Sequence, residues 1–135
     1  MEAKVAVVNG GAGGIGRAVV RHLAGAGYGI FILDKNQQAG REISDQLRDQ
    51  SCQAEYHAMD LTNAAQIKNA FAEILRATGR IDLLVNLAGG TLHKHPIQEF
   101  PLSEWREVID VNLKVLLLFS LDELRLKPSL VSRLN

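Results

Sequence analysis

At 135 residues the chain suits one domain, and with 47% hydrophobic residues it can build a core. Its 15 basic and 15 acidic residues cancel, so no charge excess steers it toward nucleic acid or an anionic membrane. The single cysteine, Cys52, excludes an internal disulfide framework.

Cys52 reads as an ordinary small side chain in a reducing compartment. Met1–Lys4 leads directly into an apolar segment and lacks the h-region and cleavage site of a signal peptide. Val111–Leu121 is broken by Asn112 and Lys114, and is shorter than the roughly 20 apolar residues that cross a bilayer. No membrane or nucleic-acid partner is expected, and the expected location is cytoplasmic.

Lys4–Asn9 is apolar and β-branched, the pattern of a buried strand. Gly14–Ala26 has helical spacing, with Ile15, Val19, Val20 and Leu23 on one side and Gly25 and Gly27 as stops. Gly29–Leu33 is a second strand ending at Asp34. Asn36–Gln50 is a polar helix with Ile43 and Leu47 as its apolar stripe. Ala54–Met59 is a third strand. Asn63–Thr78 is a helix with Ile67, Phe71, Ile74 and Leu75 inward, ended by Gly79. Asp82–Leu87 is a fourth strand. After a loop, Ser103 is placed to cap a helix through Trp105, Val108, Ile109 and Val111, with Trp105 packing inward. Leu121–Lys127 can extend that helix, Pro128 ends it, and Ser129–Asn135 reads as a tail.

Strands with little polar alternation are buried on both faces. Alternating β and α units then imply an α/β fold, a Rossmann-like doubly wound parallel sheet with right-handed crossovers. Residues 1–120 read as this α/β domain in part, truncated after about four strands, and residues 121–135 as a divergent tail.

Between the first strand and first helix lies Asn9-Gly10-Gly11-Ala12-Gly13-Gly14-Ile15-Gly16. Two patterns overlap there: Gly11, Gly13 and Gly16 fit G-x-G-x-x-G, and Gly10, Gly14 and Gly16 fit G-x-x-x-G-x-G. Either permits a tight turn and a close approach of pyrophosphate to backbone. The helix start presents free N–H groups to that anion. Asp34 follows Gly16 by 18 residues, against the roughly 20 of a dinucleotide fingerprint. A carboxylate at the second strand's tip accepts bonds from ribose hydroxyls and repels a 2′-phosphate, which favours NAD over NADP. Lys35 beside it weakens that preference, although no basic residue sits within the glycine loop.

With these segments in place the chain resembles the short-chain dehydrogenase/reductase family over residues 1 to about 119. The marks are Val8-Asn9-Gly10-Gly11-Ala12-Gly13-Gly14-Ile15-Gly16, Asp34, Met59-Asp60-Leu61, Asn86-Leu87-Ala88-Gly89 and Asp110-Val111-Asn112-Leu113. The resemblance implies that Gly10, Ala12, Gly13 and Ile15 line the pyrophosphate, within a loop completed by Gly14 and Gly16. It implies that Asp60 and Leu61 flank the adenine. Asn86, Ala88 and Gly89 would hold the end of the central strand and contact the nicotinamide-side ribose, with Val111 nearby. Asn112 matches the asparagine that kinks the next helix and holds a water of the proton relay, an auxiliary catalytic role. Two departures are visible: Asn9 replaces the usual threonine, and Leu87 replaces a second asparagine.

The family's tyrosine and lysine, spaced Y-x-x-x-K, and its serine have no counterpart after Asn112. The two tyrosines are Tyr28 and Tyr56, and neither is followed by lysine four positions on. Ser120, Ser129 and Ser132 match nothing. His93-Lys94-His95 reads as a solvated loop rather than a metal site. The fourth strand, without a fifth beside it, would leave an apolar edge, open to a homo-oligomer or another partner.

Four readings stay open. The chain is the NAD-binding part of an oxidoreductase acting on a small alcohol or carbonyl substrate, inactive alone and shortened by truncation or a frame change. It is a non-catalytic NAD-binding module or pseudoenzyme. It is a decayed product. It is an S-adenosylmethionine-dependent methyltransferase, which Asp60 and the Asn86–Gly89 run argue against.

Overall fold

A computed structural model describes residues 3–90 and 96–126. The expectations for His93, Lys94 and His95, and for the tail from Lys127 on with Pro128, Ser129 and Ser132, lie outside the described residues.

The four expected strands form as β1 (Val5–Asn9), β2 (Gly29–Asp34), β3 (Ala54–Ala58) and β4 (Leu83–Asn86). They make one parallel sheet in the order β3-β2-β1-β4. The register sets Val7 opposite Phe31 on one side and Leu84 on the other. Parallel neighbours need long crossovers, supplied by helices α1 (Gly14–Gly25), α2 (Gln37–Asp49) and α3 (Ala64–Thr78).

Helix boundaries follow local chemistry. Asn36 caps α2 by accepting from Ala39 N–H, and Asn63 caps α3 by accepting from Ala65 and Gln66 N–H. Gly79 closes α3 in the left-handed conformation, φ 71°.

Both faces of the sheet are covered. On one, Val5, Val7, Phe31 and Leu33 pack with Ile67, Phe71 and Ile74 of α3. On the other, Ala6, Val8, Ile30 and Ile32 pack with Val20 and Ala24 of α1 and Ile43 and Leu47 of α2. This is the Rossmann-like doubly wound architecture expected from strands with little polar alternation.

The α1 expectation needs correcting. Ile15 is 76% exposed, and the face on the sheet is Gly16, Val20 and Ala24. Glycine takes the contact at position 16 because helix and loop backbones approach too closely there for a side chain.

After β4 the chain passes a short 3₁₀ turn (Ile97–Glu99) and enters α4 (Leu102–Ile109). Ser103 does not cap this helix. Pro101 holds that position, its carbonyl accepting from Trp105 N–H at 3.0 Å, and Ser103 lies inside the first turn. Proline is suited to a helix start, where its missing N–H costs nothing. Trp105 does not pack inward either: it is 49% exposed.

A π-helical segment, Asp110–Lys114, then joins α4 to α5 (Val115–Leu126). It changes the phase of the helix, so that Val115 and Phe119 turn into the core. Phe119 meets Phe71 ring to ring, centroids 5.7 Å apart and tilted by 60°. Fully buried side chains of this kind each contribute roughly 1.5–3 kcal/mol. α5 continues without a break across residue 120. Among the described residues β4 pairs only with β1, and its side chains are half-buried.

Candidate functional site

β1 leaves the sheet at Gly10, whose φ of +70° lies in the left-handed region. Its N–H donates to Leu33 O at 2.8 Å, and a Cβ there would lie 2.7 Å from Ala88 N. Only glycine lets the β1 and β4 exits approach this closely. The loop returns through Gly13, the residue before α1, which has no side chain to cap the helix. The first-turn N–H groups therefore have no side-chain cap, the condition under which a helix start receives an anion. Gly16 is buried, and a Cβ on it would overlap Gly10 O and lie 2.7 Å from Gly11 Cα. It sets the helix directly on the loop and does not line the opening.

At the tip of β2, Asp34 grips the loop. Its Oδ2 accepts from Ala12 N–H at 3.0 Å and its Oδ1 from Asn36 N–H at 2.9 Å. Ala12 is buried behind the loop. A carboxylate offers about four acceptor positions, so two remain for donors of a ligand.

At the end of β3 lies Asp60, exposed, with Oδ1 accepting from both the N–H and the hydroxyl of Thr62 at 2.9 and 2.7 Å. These two bonds, the hydroxyl's foremost, hold the Asp60 carboxyl below its ordinary value against a smaller opposing effect of burial. A depressed value means the interactions of the charged form persist above the ordinary value and fade as pH falls through the folded one. Thr62→Ala is accordingly expected to move the Asp60 titration upward, followed by the carbon-13 shift of its carboxyl. An unchanged midpoint would remove Thr62 as the cause.

At the end of β4, Ala88 and Gly89 form the opposite wall. Gly89 and Gly90 face Asn112 of the π-helical segment. Asn112 Oδ1 accepts from Gly90 N–H at 2.9 Å, and its Nδ2 donates to Gly90 O and Val108 O at 3.0 and 2.8 Å. A Cβ on Gly89 would fall 2.6 Å from Asn112 Oδ1. Both Asn112 amide hydrogens are thus engaged in joining the β4 exit to the helix phase change. π-Bulges commonly accompany functional sites.

These exits enclose a cleft of about 250 Å³, lined by Gly10, Gly13, Asp34, Asp60, Leu61, Ala88, Gly89 and Val111, together with Lys35, Thr62, Leu87 and Val115. Of the other expected residues, Gly14 is exposed at the helix start with open space about it, Ile15 points to solvent, and Asn86 is bonded to Asn9. A larger hollow of about 470 Å³ lies by the amino ends of β1, β2 and β3, around Val5, Gly29 and Ala54. The smaller cleft is the candidate site, because open α/β sheets bind ligands beyond the carboxyl ends of strands, where strand order reverses. Here that reversal falls between β1 and β4.

Neither tyrosine lines the cleft. Tyr56 donates its hydroxyl to Asp34 O at 2.8 Å, and burial, with the Asp34 charge, pushes its phenol up. Tyr28 packs against the core before β2. Among the described residues no cluster of three metal-ligating side chains occurs, and no helix is long and apolar enough to cross a membrane.

Sequence reasoning gave Asn9, a departure from the family pattern, a side chain able to bond in the turn, but not its reach: it is fully buried and bonded to three β4-exit groups. A polar residue closing an otherwise apolar strand was the available signal.

The sequence profile of the short chain dehydrogenase family matches residues 4–126. An uncharacterized oxidoreductase of Thermotoga maritima is 35% identical over 113 residues, 84% of this chain and 44% of that protein. The crystal structure of NAD+-bound xylitol dehydrogenase superposes with a TM-score of 0.87 at 27% identity, over 92% of this chain and 48% of its own. A metagenomic short-chain oxidoreductase in complex with NADP superposes with a TM-score of 0.81 at 34% identity, over 90% and 53%. The chain spans about half the length of the relatives it matches. Glycine loop, sheet order and profile agree, and the chain belongs to the short-chain dehydrogenase family.

Proposed function

We propose that these residues hold NAD for an oxidoreductase that moves hydride between nicotinamide and an alcohol or carbonyl carbon. The observation that carries the reading is Asp34, a carboxylate at the β2 tip bonded to the glycine loop and facing the cleft. The site suits a dinucleotide: a cradle that a Cβ at Gly10 would fill, an uncapped helix start for the pyrophosphate, and acceptors for ribose. Gly10 and Gly13, with the backbone N–H groups of Gly14 and Ile15, would hold the pyrophosphate, while Ala12, its N–H taken by Asp34, would shape the loop from behind. Asp34 would bind the adenosine ribose, and Asp60 and Leu61 the adenine. Asn86, Ala88, Gly89 and Val111 would take the nicotinamide half. When bound, the nicotinamide supplies the hydride donor or acceptor. On this reading the 135 residues position the cofactor and do not themselves supply the tyrosine that moves the proton, since Tyr28 and Tyr56 serve the core. Asn112 acts there by fixing the wall at Gly89 and Gly90. The free side of β4 is where a further strand, a second copy or another partner would add.

Titration calorimetry of the 135-residue chain with NAD and with NADP tests this. NAD is expected to bind at least tenfold more tightly, on the order of one charge repulsion at the 2′-phosphate. NADP binding as tightly would remove the specificity assigned to Asp34. Binding of neither would remove the cofactor reading. Steady NADH turnover with any carbonyl would overturn the division of labour.

A further inference from the structure

We propose that Tyr56 is a specificity-determining positioning residue: its hydroxyl holds the peptide unit between Asp34 and Lys35, and so sets which dinucleotide the cleft prefers. This rests on the dinucleotide reading above. Asp34 and Lys35 put an acid and a base at the tip of β2, and both line the cleft. One planar peptide unit joins them, the Asp34 carbonyl to the Lys35 N–H, and its orientation governs where both side chains leave the backbone. Both acceptor positions of that carbonyl are filled. Met59 N–H donates to it at 3.1 Å, extending the β2–β3 ladder, and the Tyr56 hydroxyl donates at 2.8 Å. The first bond is backbone pairing, which does not depend on a side chain. The second belongs to this tyrosine, which the register sets opposite Ile32 and whose side chain reaches along the strands to Asp34.

That reach requires Gly40. Tyr56 packs against the apolar cluster that β2 and β3 share with α1 and α2, and a Cβ on Gly40 would overlap its ring. Gly40 is buried in the first turn of α2 and its φ is not positive. Glycine is unfavourable inside a helix, so what it supplies at this position is room for the ring. Tyr56 itself does not line the cleft and acts through Asp34, whose carboxylate in turn holds Ala12 N–H and Asn36 N–H. Without the hydroxyl the peptide unit is free to turn. The carboxylate then loses its fixed place for ribose hydroxyls, and the Lys35 cation is no longer held away from a 2′-phosphate.

Calorimetry with NAD and NADP on the full chain compares Tyr56→Phe, Gly40→Ala and the double variant. Tyr56→Phe keeps the ring and removes the donor. It is expected to weaken NAD about three- to tenfold, the share of one hydrogen bond, while NADP stays within about twofold, so that the preference for NAD narrows. Gly40→Ala puts a methyl where the ring lies and is expected to do the same by pushing the hydroxyl off Asp34. The double variant should be no weaker than either single one, because both break the same bond. The Ala12 amide proton, held by Asp34 Oδ2, gives a readout without ligand and is expected to move upfield in each variant. Equal weakening of NAD and NADP, NAD binding as in wild type, an additive double variant or an unmoved Ala12 amide would each overturn the proposal. A wild-type chain that binds neither dinucleotide would overturn the dinucleotide reading instead, and the Ala12 shift would then decide whether Tyr56 positions Asp34.

Discussion

Gly16→Ala is expected to weaken NAD binding about 100-fold, the effect of displacing a positioning element by roughly 1 Å. It should also lower stability by about 1–3 kcal/mol, the range for overpacking a filled contact. The reason is backbone against backbone. The new methyl would overlap Gly10 O and sit 2.7 Å from Gly11 Cα, and neither can rotate aside as a side chain could. Either α1 lifts from the sheet or the loop moves outward, and both displace the N–H groups proposed to receive the pyrophosphate. Gly14→Ala is the control within the same loop. Nothing lies within 4 Å of a Cβ there and its φ is not positive. Replacing a helical glycine by alanine should stabilise the unliganded chain by roughly 0.5–1 kcal/mol. Urea unfolding and calorimetry on the two variants read both effects. Gly16→Ala as stable and as tight as wild type would show that the helix–loop contact is soft.

Asp34→Ala is expected to lose NAD affinity by about 10- to 100-fold, matching charged hydrogen bonds worth roughly 1.5–3 kcal/mol, without a corresponding gain for NADP. If Asp34 acted only by repelling a 2′-phosphate, its removal would simply exchange one cofactor for the other. In this fold it also holds Ala12 N–H and Asn36 N–H. Removing it frees the middle of the glycine loop and the segment leading into α2 together. Asp34→Asn, which keeps an acceptor oxygen for one of these N–H groups, should fall between. Calorimetry with both dinucleotides checks the order. An alanine variant that binds NADP as tightly as wild type binds NAD would show that the loop does not depend on the carboxylate.

Much of the fold was legible because its signals are local. Val5–Asn9 and Gly29–Leu33 are apolar at nearly every position, which only a doubly covered strand requires, and both faces of each are indeed buried. Ile43, Leu47, Ile67, Phe71 and Ile74 repeat at helical spacing and all reach the core. The errors came where a residue's fate depends on a distant neighbour. Ile15 looked like a core residue by hydrophobicity, but at that end of α1 it is Gly16 that faces the loop and sheet. Trp105 and Ser103 were assigned from a helix started two residues late, since Pro101 rather than Ser103 caps it. The π-helical turn at Asp110–Lys114 left no signal in hydrophobic spacing. It depends on Asn112 finding Gly90, 22 residues away.

The sequence by itself determined the order of strands and helices, the glycine turn, the acidic tip of β2 and the family, since each rests on residue type and near spacing. The tertiary structure alone decided which of those residues face one cleft. It placed Asp34 on the loop across 22 residues and Asn9 on Ala88 across 79. The physical reason is that a buried N–H must find an acceptor wherever the fold brings one. In this chain the acceptors that shape the cleft are side chains at strand ends, brought to it by the parallel register.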